Sequence, residues 1–525
     1  MIKRNLIMKL DKKNQIGFST LELLLAMFII ILALSAVILV SFGSQTLLAD
    51  SQTNAEALSL AQGMLENAQA QARKDFRLVN PASDVDGIYT KRVDVFTQAD
   101  YLTKLVKATV NWTGEHNRPQ SVQLSALVTN FENAVGGDTC DSVLSPNAEA
   151  WKNPQIKNAT TNFTQLAGLS GSYPATDIDA YQGRLYVTAG NSPDKQDPTF
   201  FIFDISNPVS PALLSKIDNA TSTAAGLNAV AVDGKYAYVA NGYGAPYGTC
   251  INPDGSNQSC GQLQIIDINA NPPVVRYTLK ITGVTGTSGQ AVGSSIFYKD
   301  GFIYLGLTKT ANGPEFNIID VHNPLVPVWV GSYAVGYAIN GIYVKGGYAY
   351  LVHPTDSSAS TQEQLTVLDV SNPSSPQRKS GYHAPDNQGH GKSLYLVGNT
   401  LYLGRTWTSS VNPEFYILNN IDPTKLFENN PNNPPYPVGQ KINDSVDGVI
   451  TRDYLTFLLT RSQFQIFKID QTTNPWGISQ WAPPLNLPAS GSAVFEPVLD
   501  CEGNYFFVGS NDASDNGYIS VITAQ

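Results

Sequence analysis

Charge is scarce in this sequence. Only 14% of its 525 residues are Asp, Glu, Lys or Arg, against roughly 25% in an average soluble protein. Positive charge is the scarcer sign: 33 Lys+Arg stand against 43 Asp+Glu, for a net charge of −10 and a pI near 5.0. Binding phosphate needs a basic surface, so nucleic acid is excluded as the main partner. Four cysteines are too few for a disulfide-built scaffold, and no two have the close spacing of a zinc ligand pair. There is no Gly-x-Ser-x-Gly elbow, no phosphate-binding Gly-Lys-Ser/Thr and no carboxylate pair set apart from ordinary strand ends. Nothing in the motifs supports catalysis, and no catalytic or cofactor-binding residue is assigned. Proline is missing before Pro81, which leaves one helix free to run from about Phe18 to about Phe76.

What is present is apolar and aromatic. Hydrophobic residues make up 42%, with 25 Tyr and 21 Phe, which argues for a folded chain. The N-terminus differs from the rest. Its first 17 residues hold Lys3, Arg4, Lys9, Lys12 and Lys13 against Asp11 alone. The next 25, Phe18 to Phe42, are almost wholly apolar, with Glu22 as the one charge. As a helix this stretch is long enough to cross about 30 Å of hydrocarbon. A signal anchor with its basic flank inside is one reading. A cleaved secretory signal fits poorly, because the run is too long and no small-x-small site follows.

A signal anchor leaves Glu22 unexplained, since an unpaired carboxylate in an apolar run costs several kcal/mol. Around it the sequence reads Gly17-Phe18-Ser19-Thr20-Leu21-Glu22. This closely resembles the type IV prepilin signal: a basic leader ending in Gly, then Phe, then Glu as the fifth mature residue. The resemblance implies that a prepilin peptidase cuts between Gly17 and Phe18 and methylates the new Phe18 amine. It also implies that Glu22 pairs with the N-terminal amine of a neighbouring subunit during filament assembly. Cleavage removes five cations and one anion, leaving 28 Lys+Arg and 42 Asp+Glu, net −14.

Beyond residue 42 the pattern turns amphipathic, with Leu58, Ala61, Leu65, Ala68 and Ala72 at three- and four-residue steps. Three alternating segments, 87–96, 103–113 and 121–131, supply strands for the stripe to pack on. The last two, split by a polar turn, resemble the C-terminal hairpin of minor pilins and pseudopilins. The polar stretch 132–154 reads as a linker.

The remaining chain repeats. Seven segments align on Tyr186, Tyr238, Tyr304, Tyr350, Tyr402, Phe457 and Phe507, with spacings of 52, 66, 46, 52, 55 and 50. Periods of about this length suit a propeller blade of four short strands. Each segment is followed by a second strand of the type FNIIDVHNP or LTVLDVSNP. This element resembles the LVIVD repeat, a β-propeller repeat of secreted and surface proteins. It is clearest at Asp204, Asp267, Asp320 and Asp369, and degraded in the last three units. The prolines behind it (Pro208, Pro272, Pro324, Pro373, Pro423, Pro475) stop the strand. The last unit lacks an outer strand, while 162–172 lacks inner ones. If 162–172 completes the last blade, seven blades close without a free edge. An eight-bladed ring or an open array is the alternative.

Four cysteines allow three pairings. Cys250 with Cys260 would close a loop that has no core of its own, and Cys140 with Cys501 would pin the linker to the last unit. Both pairs need an oxidising compartment. His353, His383 and His390 with Asp386 form a candidate ligand group, for which loop histidines are the simpler reading. Asn252, Asp254 and Ser256, and the stretch 511–517, keep calcium open as a cofactor, though neither has a full acidic ligand set. No metal residue is assigned. The long second-to-third-strand loops leave on one face, where binding specificity usually lives.

The expected fold class is an α+β pilin-like N-terminal part, with a long helix and a small antiparallel sheet, followed by an all-β seven-bladed β-propeller. The expected domains are a leader (1–17), a pilin-like domain (18–131, with 18–42 the membrane and filament-core helix), a linker (132–154) and the propeller (155–525). The expected function is that of a minor type IV pilin displaying the propeller at or near a filament tip for adhesion. A pseudopilin that binds cargo in a secretion or DNA-uptake machine, and a membrane-anchored propeller enzyme, are the alternatives. The partners implied are prepilin peptidase, other pilin subunits, the cytoplasmic membrane before assembly and an unidentified surface ligand. The location implied is a single pass in the cytoplasmic membrane with the C-terminus outside, then an extracellular pilus or periplasmic pseudopilus.

Overall fold

The computed structural model describes residues 20–74, 79–97, 103–114, 117–129, 140, 148–162, 168, 173–190, 199–217, 226–241, 249–251, 257–259, 261–286, 291–355, 363–386, 388–409, 411–428, 437–473, 475–492 and 494–524. The chain divides into two compact units, Met1–Thr97 with Lys104–Val128, and Gln98–Thr103 with Thr129–Gln525.

In the first unit a helix, Thr20–Lys74, packs on a sheet whose strands lie in chain order: Ala82–Asp86, Tyr89–Thr97, Thr103–Thr113 and Pro119–Thr129. The buried stripe is Ala57, Ala61, Leu65, Ala68 and Ala72, set against Val106, Ala108, Val110 and Trp112. Leu58, expected in this stripe, is exposed, and its neighbour Ala57 is buried instead. Four of the five stripe residues are alanines, which lets the helix lie close to the sheet. Tyr89 hydrogen-bonds through its hydroxyl to Glu56, at 3.0 Å.

Among the described residues the second unit is built from seven antiparallel sheets, six of four strands and one of five, with two small two-stranded sheets between them. The first comprises Ala175–Tyr181, Arg184–Ala189, Phe200–Asp204 and Ala212–Ile217. The innermost strands of the others are Leu227–Val232, Gly293–Lys299, Gly341–Lys345, Gly391–Val397, Val446–Arg452 and Val498–Glu502. Each innermost strand touches the next, and the last touches the first, so the sheets form a closed ring. This is a β-propeller-like domain. The second and third strands of each sheet are buried along most of their length, because both sheet faces pack on neighbouring blades. The outer strand is half exposed and alternates, as Ala212–Ile217 does.

The seven aligned aromatic residues hold one register. Tyr186, Tyr238, Tyr304, Tyr350, Tyr402, Phe457 and Phe507 pair across to Ile202, Ile265, Ile318, Val367, Ile417, Ile466 and Val521. All seven are buried, each worth about 1.5–3 kcal/mol of transfer free energy. The repeating aspartate has a local structural role. Asp204, Asp267, Asp320 and Asp369 accept the backbone N–H two residues on, at 2.8 to 3.2 Å. Asn419 and Asp470 do the same in the degraded units. The carboxylate thus ends the third strand in a turn.

The seventh sheet takes its outer strand from far upstream. Gln155–Asn162 pairs with Gly517–Thr523, seven residues ahead of the segment 162–172 expected there. Trp151, fully buried, anchors this strand edge-on against Phe457 and Phe506, at 4.9 and 5.3 Å between ring centres. Cys140 is disulfide-bonded to Cys501, with Cα atoms 5.1 Å apart.

Two expectations are corrected. The expected α+β pilin-like part followed by an all-β ring gives way to a chain that is nearly all β. Strands supply most of the regular structure, and among the described residues α-helix is confined to the one segment Thr20–Lys74. The single-pass anchor is also overturned: among the described residues no helix is long and apolar enough to cross a membrane.

Candidate functional site

A cavity of about 640 Å³ opens along the axis of the ring, lined by residues from the innermost strands of all seven sheets. Its wall is made by a repeated irregularity. In five innermost strands one extra residue bulges out of the pairing: Thr176, Asn228, Ser294, Lys392 and Asp447. A bulge re-aims the side chain it carries, and all five line the cavity. The equivalent position in the fourth sheet is Asn340, directly ahead of Gly341, and in the seventh Pro497. Each lies ten residues before the aligned aromatic of its repeat. Ala175 pairs with Ala189 at the far end of the second strand, so the cavity lies at the end of the ring from which the second-to-third-strand connections leave.

In four repeats the wall residue ties its blade to the next. Thr176 Oγ1 donates to the Leu227 carbonyl at 2.6 Å, and Asn228 Nδ2 to the Gly293 carbonyl at 2.7 Å. Ser294 Oγ donates to the Ile339 carbonyl at 2.8 Å, and Asn340 Nδ2 to the Gly391 carbonyl at 2.7 Å. The fifth and sixth repeats break the rule with charge. Lys392 leaves the tie to Ser393, whose hydroxyl donates to the Val446 carbonyl at 2.9 Å. The Lys392 ammonium instead pairs with Glu496 and stands 3.7 Å from Asp447 Oδ1. Asp447, as a carboxylate, has no proton to give the seventh blade, and its Oδ1 accepts no hydrogen bond. Asp177 completes the charged set, accepting the N–H groups of Ile178 and Val230 at 3.0 and 2.9 Å. Burial pushes Asp447 up to about 6 and Asp177 up to about 7, and lowers the Lys392 ammonium.

The wall residues share no chemical type, which is why motif reasoning passed them over. Their constant distance to the aligned aromatic is the signal that finds them.

The sequence-derived candidates fall elsewhere. Gly17 and Phe18 lie outside the described residues, as does the side chain of Glu22, whose backbone is in the helix. Cys250 is on a short hairpin, Thr249–Ile251 with Asn257–Ser259, and Cys260 lies outside the described residues, as do Asn252, Asp254 and Ser256. The histidine group is not assembled as a ligand set. His353 is buried, bonded to Thr366 Oγ1 and the Pro354 carbonyl at 2.9 Å each, and stacked on Tyr337. Asp386 is held by Arg405, at 2.9 Å. In 511–517, Asp512 accepts the backbone N–H groups of Ser514 and Asn516, so this stretch forms a capped turn.

The family model described as LVIVD repeat matches residues 194–219, 228–244 and 336–384. The first and last of these spans contain the Asp-capped strands that end at Asp204 and Asp369. None of the curated proteins matches the chain. Among solved structures, a functionally unknown protein from Desulfotomaculum acetoxidans DSM 771 is similar at 13% identity and a TM-score of 0.40, covering 66% of this chain and 94% of that one. The AfRom2 CNH domain is similar at 7% identity and a TM-score of 0.37, covering 71% and 99%. At such scores neither bears on the fold, which rests on strand order and register. Nothing in these comparisons supports a type IV pilin portion.

Proposed function

We propose that this is a binding protein whose propeller-like domain engages its target through the mouth of the axial cavity, in the service of adhesion or surface attachment. One observation carries the reading: seven aligned wall positions converge on one polar cavity, and only two adjacent ones abandon the blade-to-blade tie for charge. The seventh position, Pro497, also lacks the tie but brings no charge. The reading is of binding and not of catalysis, since Asp177 is held by two backbone N–H groups and Lys392 by Glu496.

Display of the domain as a minor subunit of a type IV filament, at or near its tip, is the part of the proposal that rests on sequence. Its support is Gly17-Phe18 followed by Glu22. Mass spectrometry of the mature N-terminus tests it, the expected product beginning with methylated Phe18. An intact leader would sink the filament reading and leave the binding reading standing. For the binding reading, Ser294→Trp fills the cavity, while Ser295 Oγ still serves the Ile339 carbonyl at 3.0 Å. The variant is expected to fold and to lose attachment.

A further inference from the structure

We propose that the charged part of the cavity mouth binds a basic group, the ammonium or guanidinium of an amine or of a basic peptide, at Asp447 and Glu496, the two carboxylates grouped around Lys392. The inference rests on the cavity mouth being the ligand face and adds the chemical class of the ligand.

Three observations lead there. First, the wall has few free donors. The hydroxyls of Thr176, Ser294, Ser295 and Ser393, and amide N–H groups of Asn228 and Asn340, are engaged by backbone carbonyls. What remains toward the cavity is rich in acceptors. Second, the Asp447 side chain is only 3% exposed, yet its Oδ1 accepts no hydrogen bond. Its one cationic neighbour, the Lys392 ammonium, stands 3.7 Å away, beyond hydrogen-bond distance; a buried carboxylate oxygen so weakly served is costly, and the space it lines is the cavity, so an occupant that donates relieves the cost. Third, two carboxylates, Asp447 and Glu496, share that part of the wall with one cation, Lys392, which is drawn to Glu496. The excess negative charge favours a positively charged donor over a neutral hydroxyl, because charge-assisted hydrogen bonds are about twice as strong. Phe495 lines the same mouth, and an aromatic ring is a favourable neighbour for a cation. A metal ion does not meet these demands. Among the described residues the one group of potential ligands close enough to share an ion is Cys140, Asp500 and Cys501, and its two sulfurs are bonded to each other.

The test is calorimetric titration of the full-length protein at low salt with spermidine and with a tetra-arginine peptide. A neutral malto-oligosaccharide and tetraglutamate serve as opposing probes. The expected result is saturable binding of at least one basic probe and none of tetraglutamate. Affinity should fall about tenfold or more in Glu496→Gln and again in Asp447→Asn. Glu496 is partly exposed, so its variant reports on binding even if Asp447→Asn folds poorly. Spermidine alone would identify a small amine, and the peptide alone a basic segment. Basic probes that fail to bind, or that bind both variants as tightly as the parent, overturn the proposal. Capture of the neutral sugar instead, abolished by Ser294→Trp, would refute the ligand class and keep the cavity. Binding of any probe that survives Ser294→Trp would refute the cavity as well.

Discussion

Asp447 occupies a position that the first four repeats fill with Thr, Asn or Ser, and its cost is visible in its protonation. Burial raises its folded pKa from 3.8 to about 6, and that of Asp177 to about 7. A carboxyl with a raised folded pKa favours the folded state fully below the unfolded value and loses that contribution as pH rises through the folded one. In thermal unfolding of the full chain these two carboxyls should therefore lower the midpoint from about pH 4 to about pH 7, against the opposing rise from His353 and His390, whose pKa values burial lowers. The groups acting on Asp447 are Lys392, Asp444 and Arg461. In Asp447→Asn the decline should be shallower, and an unchanged slope would remove Asp447 as its source. Glu414 is the contrasting buried carboxylate. It accepts the N–H groups of Ile442 and Asn443, at 2.8 and 3.2 Å, and pairs with Lys441. Glu414→Ala orphans both N–H groups and should cost about 2–4 kcal/mol in denaturant unfolding, Glu414→Gln clearly less. Gln262 and Gln364 do the same service at equivalent positions, each accepting one N–H. This Gln/Glu was not legible in the sequence because it stands one residue ahead of the apolar run that draws the eye. The repeating Asp was legible, since it closes that run.

At the scale of elements, the repeat of second and third strands was the clearest feature of the sequence, because these strands are buried on both faces and are dense in aromatic and aliphatic residues. The closing strand was not. Gln155–Asn162 reads QIKNATTN and is joined to Gly517–Thr523 by backbone pairing, with few apolar side chains to mark it. The more apolar 162–172 was the stronger pattern and the wrong one. What holds the closing strand is its upstream anchor. Trp151→Ala should cost about 3–5 kcal/mol, by the cavity it leaves between Phe457 and Phe506. Reduction of the Cys140–Cys501 bond should lower stability by about 2–5 kcal/mol and speed proteolysis around residue 155. Equal melting temperatures with and without reductant would show that strand pairing alone closes the ring. In the first unit the helical stripe was read one position off at its start, Leu58 for Ala57. Adjacent residues of similar apolarity are separable only by which one faces the sheet.

Over the whole molecule, low charge and abundant Tyr and Phe translate into a ring whose blades pack through aromatic and aliphatic layers. The few charges that enter the axial cavity stand out against that background. The overall ring was foreseeable because a repeat must bury its faces against copies of itself. The cavity was not, since it is lined by bulged residues with no shared identity, positioned only by their distance from the aligned aromatics. The account's central claim is that this cavity mouth is the working surface. It is tested most directly by comparing attachment of the full-length parent and of Ser294→Trp to a panel of cells and to glycan- and peptide-coated surfaces, with circular dichroism confirming equal folding. The account predicts that the filled cavity abolishes whatever attachment the parent shows. Undiminished attachment by a folded Ser294→Trp protein would contradict it.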